Sequence, residues 1–409
     1  MQYNIRHHKR CRICGSVNFR KFLRFEDVPL SDDFVSINTK GTEFVAPLEV
    51  YLCSQCGIAQ TAHDVQTSDY YQEYRYTVSS SPLAANFMRV LAKNTFEKFG
   101  LLPDDPIVEI GSNDGAQLLC FKQLGARVFG FEPSLELTRI SARAHVPTAA
   151  CLFNDDSIGQ IPLAMLPVKA ILLTYTFDHL PDPMGFLQTA KRLLDKENGL
   201  LIIEVHDLEK TMMRREICVF QHEHTIYLTS ASLKSLLERA GFELLTMDLV
   251  KEQDRRGNSL LIAAAVQGNN YEPDSNLSIR LGPFDKWDRY KDFGRGAEDG
   301  CKKFRSYVDS QILSGKRLGG YGAGPRGVMT LAITNLSNRH IEFLCDQNTN
   351  LHGLLTPKSH VPVVAPDFLK ENPVDELIVF SYGYMDEIRQ LLSRYLEQGG
   401  KLTSVLDLL

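Results

Sequence analysis

Residues 106–125 read PIVEIGSNDGAQLLCFKQLG, and this stretch decides the fold. An apolar, β-branched run from Ile107 to Ile110 ends at Gly111, a second glycine follows at Gly115, and the apolar spacing of a helix comes next. Glycine at such a turn lets the backbone approach a ligand closely, with the amides of the next helix N-terminus behind it. A dinucleotide site would want the G-x-G-x-x-G pattern, which this turn lacks. The following run, ARVFGFEPS, is apolar from Val128 to Phe131 and closes on Glu132. An acid at that strand end, about 20 residues past the turn, can accept both hydroxyls of a ribose. AILLTYTFDHL supplies strand four, with Thr174, Tyr175, Asp178 and His179 at its carboxyl end, the edge where open α/β sheets bind ligands. GLLIIEVHDL reads as strand five, and SASLKSLLERAGFELLTMDLV as a capped helix followed by a strand. A helix from Phe87 to Phe99 leads into this region. Alternation of strands and helices predicts a doubly wound, Rossmann-like α/β domain.

The rest of the chain is organised around that domain. At 409 residues, two or three domains are expected. A net charge of −5 argues against nucleic acid as the main partner. No apolar run approaches the roughly 20 residues that span a bilayer, so no membrane partner is expected. MQYNIRHHKR lacks the apolar stretch of a secretory signal, which predicts a cytoplasmic protein. Two Cys-x-x-Cys knuckles, Cys11/Cys14 and Cys53/Cys56, make the ligand set of a closed, structural Cys₄ zinc site, and CRICGS and CSQCGI each carry glycine at the turn. The other five cysteines lie mostly in apolar contexts and read as core.

Between strand five and the next helix lies VFQHEHTIYLT, where His222, Glu223 and His224 could transfer protons or simply form a polar loop. In the C-terminal third, a charged connector and a helix precede KRLGGYGAGPRGVMTLA, a strand, glycine-rich turn and helix. Such a turn can cradle phosphate, and Arg326 could add charge. IEFLCDQN, VPVVAPDFL and ELIVFSYGY are further strand-like runs, with Asp346 placed like an acid ending a second Rossmann-like strand.

The ordered series of paired Cys-x-x-Cys, PLSDDF, EYRYTVSSS, IGSNDG, FEPS, HLPD, HEH and GYGA resembles, nearly end to end, the zinc-containing S-adenosylmethionine (SAM)-dependent sugar C-methyltransferases. That family acts on nucleotide-linked keto-deoxysugars. The resemblance implies a small zinc-binding domain at residues 1–75, a class I methyltransferase domain at 76–268 and a second α/β domain at 269–409. It implies SAM and Zn²⁺ as cofactors, with SAM on Glu109, Gly111, Asn113, Gly115 and Glu132, and zinc on the four knuckle cysteines. It also implies His224 as the base removing the proton beside the ketone, Glu223 orienting its imidazole, and Tyr76, His179 or Tyr175 donating to the enolate. His222 is expected to point the other way along an extended segment and to tolerate replacement.

The acceptor half departs from the family. Its Asn-Asn pair at strand four is Thr174 and Tyr175 here, Gln221 replaces the tyrosine of Tyr-His-Glu-His, and its His-Gly-Gly-Ser-Leu-Arg segment reads Arg255 to Leu260. O-methylation, another acceptor, or a non-catalytic SAM-binding homologue therefore stay open beside C-methylation.

Overall fold

The computed structural model describes residues 3–66, 68–72, 77, 82–247, 249–255, 257–275, 277 and 286–409. Its centre is a seven-stranded sheet in the order β12(Phe242–Thr246), β13(Ser259–Val266), β10(Leu200–His206), β9(Ala170–Thr174), β6(Pro106–Ile110), β7(Arg127–Phe131), β8(Thr148–Ala149). Strands β10, β9, β6, β7 and β8 run parallel, while β13 is antiparallel to both neighbours. That order, with one reversed strand, is the class I methyltransferase sheet the resemblance implies. Every residue of β13 is buried, and β10 is buried up to its last residue, as expected where helices cover both faces. Alternate residues feed two cores: Val108, Ile171 and Ile203 on one face, Ile107, Leu172 and Ile202 on the other.

Helix α1(Ser68–Gln72) precedes α2(Pro82–Phe99), which begins five residues before the expected start. Helices α3(Ala116–Gln123), α4(Leu135–Arg143), α5(Pro183–Leu193) and α6(Leu208–Arg214) follow successive strands. Helix α7(Ser230–Ala240) carries the expected cap: Thr229 and Ser232 form a reciprocal capping box, and Gly241 ends the helix at φ 82°. The sequence reading assigned no strand to SLLIAAAV, yet β13 sits between β10 and β12. Its alanines are weak strand formers, and burial between two neighbours overrides them.

The N-terminal segment forms a four-stranded sheet, β11(Ile226–Tyr227), β4(Ala59–Thr61), β3(Val45–Cys53), β2(Phe19–Pro29), plus a ribbon of β1(Ile5–His7) with β5(His63–Val65). Strand β11 comes from the methyltransferase domain and pairs Ile226 with Gln60 and Tyr227 with Ala59. The C-terminal third has the long helix α8(Trp287–Leu313), then β14(Leu318–Tyr321), α9(Pro325–Ile333) and a parallel sheet ordered β16(Val363–Val364), β15(Leu344–Cys345), β14, β17(Glu376–Val379), β18(Lys401–Ser404). Among the described residues no helix is long and apolar enough to cross a membrane.

Candidate functional site

The knuckles converge. The sulfurs of Cys11 and Cys56 lie 3.6 Å apart, as do those of Cys14 and Cys53, and one sulfur from each of the four lies within 4.8 Å of the others. A tetrahedron of Zn–S bonds of about 2.3 Å has edges of about 3.8 Å, so the four thiols fit one zinc ion. Gly15 (φ 72°) and Gly57 (φ 71°) close the knuckles by donating to the Cys11 and Cys53 carbonyls at 2.9 Å. The Gln60 amide donates to Cys11 Sγ at 3.0 Å. The hydrogen bond between Cys11 and Cys56 lowers the Cys11 thiol and raises that of Cys56, as two close sulfurs sharing a proton must.

At the carboxyl ends of β6, β7 and β9, the turn after β6 forms a glycine-lined cradle. Gly111 adopts φ 70°, and a Cβ there would collide with the Thr176 side chain. Gly115 (φ 79°) starts α3, and a Cβ would press on Ser141. Asn113 is also left-handed, at φ 51°, which asparagine tolerates. Glu132 is 5% exposed, and its carboxylate accepts from the amides of Asn113 and Ser134, both at 2.9 Å. Burial pushes its pKa up to about 7 against those bonds. Glu109 is buried in β6 and accepts from the Thr174 hydroxyl at 3.4 Å. An acid poised beside a glycine cradle at this edge fits the ribose of SAM, which supplies an electrophilic methyl group when bound.

The segment 221–225 runs between the zinc sheet and the central sheet, and its three titratable residues face three ways. His222 is 2% exposed; its Nδ1 pairs with His63 Nε2 at 2.9 Å, and its Nε2 lies 3.1 and 3.3 Å from the Val28 and Ala46 carbonyls. It pins the zinc sheet, which corrects the expectation that it would tolerate replacement. Glu223 accepts at Oε1 from Ser31 N (2.6 Å), the Ser31 hydroxyl (2.8 Å) and the Tyr70 hydroxyl (3.0 Å). It therefore does not orient His224, contrary to the sequence-based expectation, because the PLSDDF turn claims its carboxylate. The Glu223 Oε2 atom is buried, with no hydrogen-bond partner among the described residues.

His224 is 4% exposed, and its Nδ1 lies 2.7 Å from the Val219 carbonyl. A carbonyl only accepts, so Nδ1 carries the proton and Nε2 keeps its lone pair. Burial pushes its pKa down to about 3, so the ring is neutral at neutral pH. His179 and His206 stand edge to face or tilted against it, with ring centroids 4.7 and 4.9 Å away. His179 Nδ1 meets the Tyr71 hydroxyl at 2.9 Å. His206 Nδ1 meets Asp178 Oδ2 at 2.9 Å, and Asp178 Oδ1 is buried with no partner among the described residues. Burial raises the Asp178 carboxyl, but the His206 hydrogen bond and the fields of His224, His206 and His179 hold it well below the usual carboxylate range. Tyr175 sits at φ 54°, a left-handed position costly for a large side chain, with its ring 4.8 Å from that of His206.

The structure thus brings together His224, His179 and, through His206, Tyr175; Tyr76 lies outside the described residues. It adds residues the sequence reading gave no role: Ser31, Tyr70, Tyr71, His206 and, as a partner of His206, Asp178. His206 ends β10 and Asp178 lies in the single 3-10 turn after the adjacent parallel strand β9, a pairing visible only once the strand order is known. Asp32, in the same PLSDDF turn, is pushed up to about 7 by burial and the Glu223 charge. Arg326, at the start of α9, lies over the Tyr382 ring at 4.8 Å, and a Cβ on Gly257 would sit 3.1 Å from its guanidinium. Asp346 accepts from Ala323 N at 2.7 Å, so it braces the second glycine turn.

This fold and site define a class I SAM-dependent methyltransferase with an attached zinc module. Three families match successive parts of the chain: residues 11–71 a zinc binding domain, 71–247 a methyltransferase domain and 281–406 the C-methyltransferase C-terminal domain. It is similar to the C-methyltransferase NovU of Streptomyces niveus, 27% identical over 407 residues that cover 98% of this chain and 96% of the relative. A tRNA U34 carboxymethyltransferase of Aliarcobacter butzleri is 26% identical over 175 residues, 40% of this chain and 56% of that one. Among solved structures, magnesium protoporphyrin IX methyltransferase from Synechocystis PCC 6803 aligns with a TM-score of 0.36 at 14% identity, covering 48% of this chain and 91% of that one.

Proposed function

We propose that the enzyme C-methylates the carbon beside the ketone of a nucleotide-linked keto-deoxysugar, with His224 removing the proton. The observation that carries this is the His224 imidazole: buried, neutral, and held by the Val219 carbonyl in the tautomer that leaves Nε2 free. Its surroundings suit proton abstraction, since removal of a C–H beside a ketone needs a base in place and donors for the developing enolate oxygen. His179, Tyr175 and Tyr76 are the candidate donors, and Glu223 serves the site by tying the PLSDDF turn down. SAM would lie with its ribose on Glu132, along Glu109, Gly111, Asn113 and Gly115. Arg326, facing Gly257 and Tyr175 from the C-terminal unit, supports an anionic acceptor such as a nucleotide sugar. The same reading places the enzyme in the cytoplasm, where its nine free cysteines stay reduced. It also sets the domain limits at 1–75, 76–268 and 269–409.

The test is hydrogen exchange. With a nucleoside-diphosphate-linked keto-deoxyhexose in deuterated water, the native enzyme should exchange the hydrogen beside the ketone and methylate that carbon. His224→Ala should lose both by roughly 10²–10⁴-fold while SAM affinity stays near native. Methylation of a hydroxyl without exchange would select O-methylation instead, and near-native exchange in His224→Ala would remove it as the base.

A further inference from the structure

Any C-methylation by SAM leaves one proton behind. The acceptor C–H bond breaks and its electron pair makes the new C–CH₃ bond. The sulfonium sulfur regains the pair of the broken S–CH₃ bond, and the proton stays on the base. His224 is a poor place for that proton to remain. The ring is 4% exposed, and burial disfavours its charged form. Its Nδ1 is already committed to the Val219 carbonyl, so the proton arrives on Nε2 and must leave from Nε2.

The neighbours of His224 are Asp178, His179, His206, Tyr227 and the Val219 carbonyl. His179 is half-buried, and its Nδ1 is taken by Tyr71. His206 differs in its partner, the Asp178 carboxylate, and its side chain is 22% exposed, which gives the ring access to solvent. A ring nitrogen of His206, a ring nitrogen of His224 and a carboxylate oxygen of Asp178 lie within 4.8 Å of one another. Because the ionised Asp178 carboxylate only accepts, His206 holds its own proton on Nδ1 and presents a free Nε2. Asp178 Oδ1 is buried with no hydrogen-bond partner among the described residues, so the carboxylate's one bond is to His206.

We propose that His206, held by Asp178, is the exit relay for the catalytic proton: it accepts the proton from His224 Nε2 and releases it to solvent, resetting the base for the next turnover. Asp178 is the positioning residue that keeps His206 in the receiving tautomer. This rests on the reading of His224 as base.

The experiment separates the first turnover from those that follow. Enzyme loaded with SAM is mixed with a nucleoside-diphosphate-linked keto-deoxyhexose and sampled by rapid quench. For His206→Asn, on a partly exposed side chain, we expect a first turnover within about twofold of native and a steady-state kcat lower by roughly 10- to 100-fold. Added imidazole should restore kcat, because a small diffusible base can take the relay's place. Asp178→Asn should show the same split, and a thermal melt of each variant checks that it is folded. A kcat unchanged by His206→Asn overturns the relay. So does a first turnover that falls in step with kcat, or a fall that imidazole does not rescue. The parent reading fails separately, by His224→Asn keeping a native first turnover or by native enzyme that exchanges no hydrogen beside the ketone.

Discussion

His222, Glu223 and His224 are consecutive, yet each is held by a different part of the molecule, so their substitutions should fail for different reasons. Loss of the His222 contacts to His63, Val28 and Ala46 removes buried hydrogen bonds and should lower stability, whereas His224 should lower the rate. The sequence reading placed the HEH run in a functional loop but assigned Glu223 to the wrong partner, because Ser31 and Tyr70 are distant in sequence. Buried histidines also set an acid limit. His63, His222 and His224 have pKa values pushed down to about 4, 3 and 3 by burial. Below the ordinary histidine value of about 6.5, the unfolded chain protonates these rings while the folded one does not, so stability falls as pH falls. The carboxyls of Glu132 and Asp32, held up at about 7, act in the opposite direction, so between about pH 6.5 and 4.5 the net slope should be that of one histidine, about 1.4 kcal/mol per pH unit. Urea midpoints measured at pH 7, 6 and 5 should fall modestly, and midpoints that rise toward acid would contradict the burial of the histidines. Glu132→Ala should weaken SAM binding by on the order of 1–3 kcal/mol in calorimetry, the usual effect of losing charge-assisted hydrogen bonds. Unchanged affinity would move the ribose elsewhere.

Among the elements, β4 and β11 decide how zinc and catalysis connect. Thr61 N donates to the Thr225 carbonyl at 3.1 Å, directly after His224, and Gln60 on the same strand donates to Cys11 Sγ. Zinc loss should therefore reach the HEH segment through one short strand. We expect one zinc per chain by metal analysis. Cys11→Ser, or chelation, should release it, lower Tm and cut methyl transfer even though zinc touches no reacting atom, since Cys₄ sites contribute folding energy. Full zinc and stability in Cys11→Ser would refute the assignment. At this scale much was legible: the turn after β6, the Glu132 strand end, the α7 cap and both knuckles follow from residues close in sequence. What was not legible depended on distant neighbours. SLLIAAAV reads weakly as a strand by itself, and β11 is a two-residue strand that exists because β4 lies beside it.

The whole molecule shares its cores. Phe22, Phe25, Leu48 and Val50 of the zinc sheet pack with Phe220 and Tyr227 of the central domain and with Tyr290, Phe293 and Met329 of the C-terminal third. Val35 and Leu355 exchange backbone hydrogen bonds, and Glu43 accepts from Lys358 N at 2.9 Å and pairs with His360. Helix α8 comes so close to β2 that a Cβ on Gly294 would strike the Phe22 carbonyl oxygen. That close approach bears on how such enzymes can diversify. A C-terminal third grafted from a relative would have to bring a glycine at this point and side chains that fit the other parent's β2. Chimeras joined at the apparent domain boundaries should misassemble unless β2 travels with α8, so new acceptors would arise more readily by point changes around Tyr175, Gly257 and Arg326 than by exchange of whole modules.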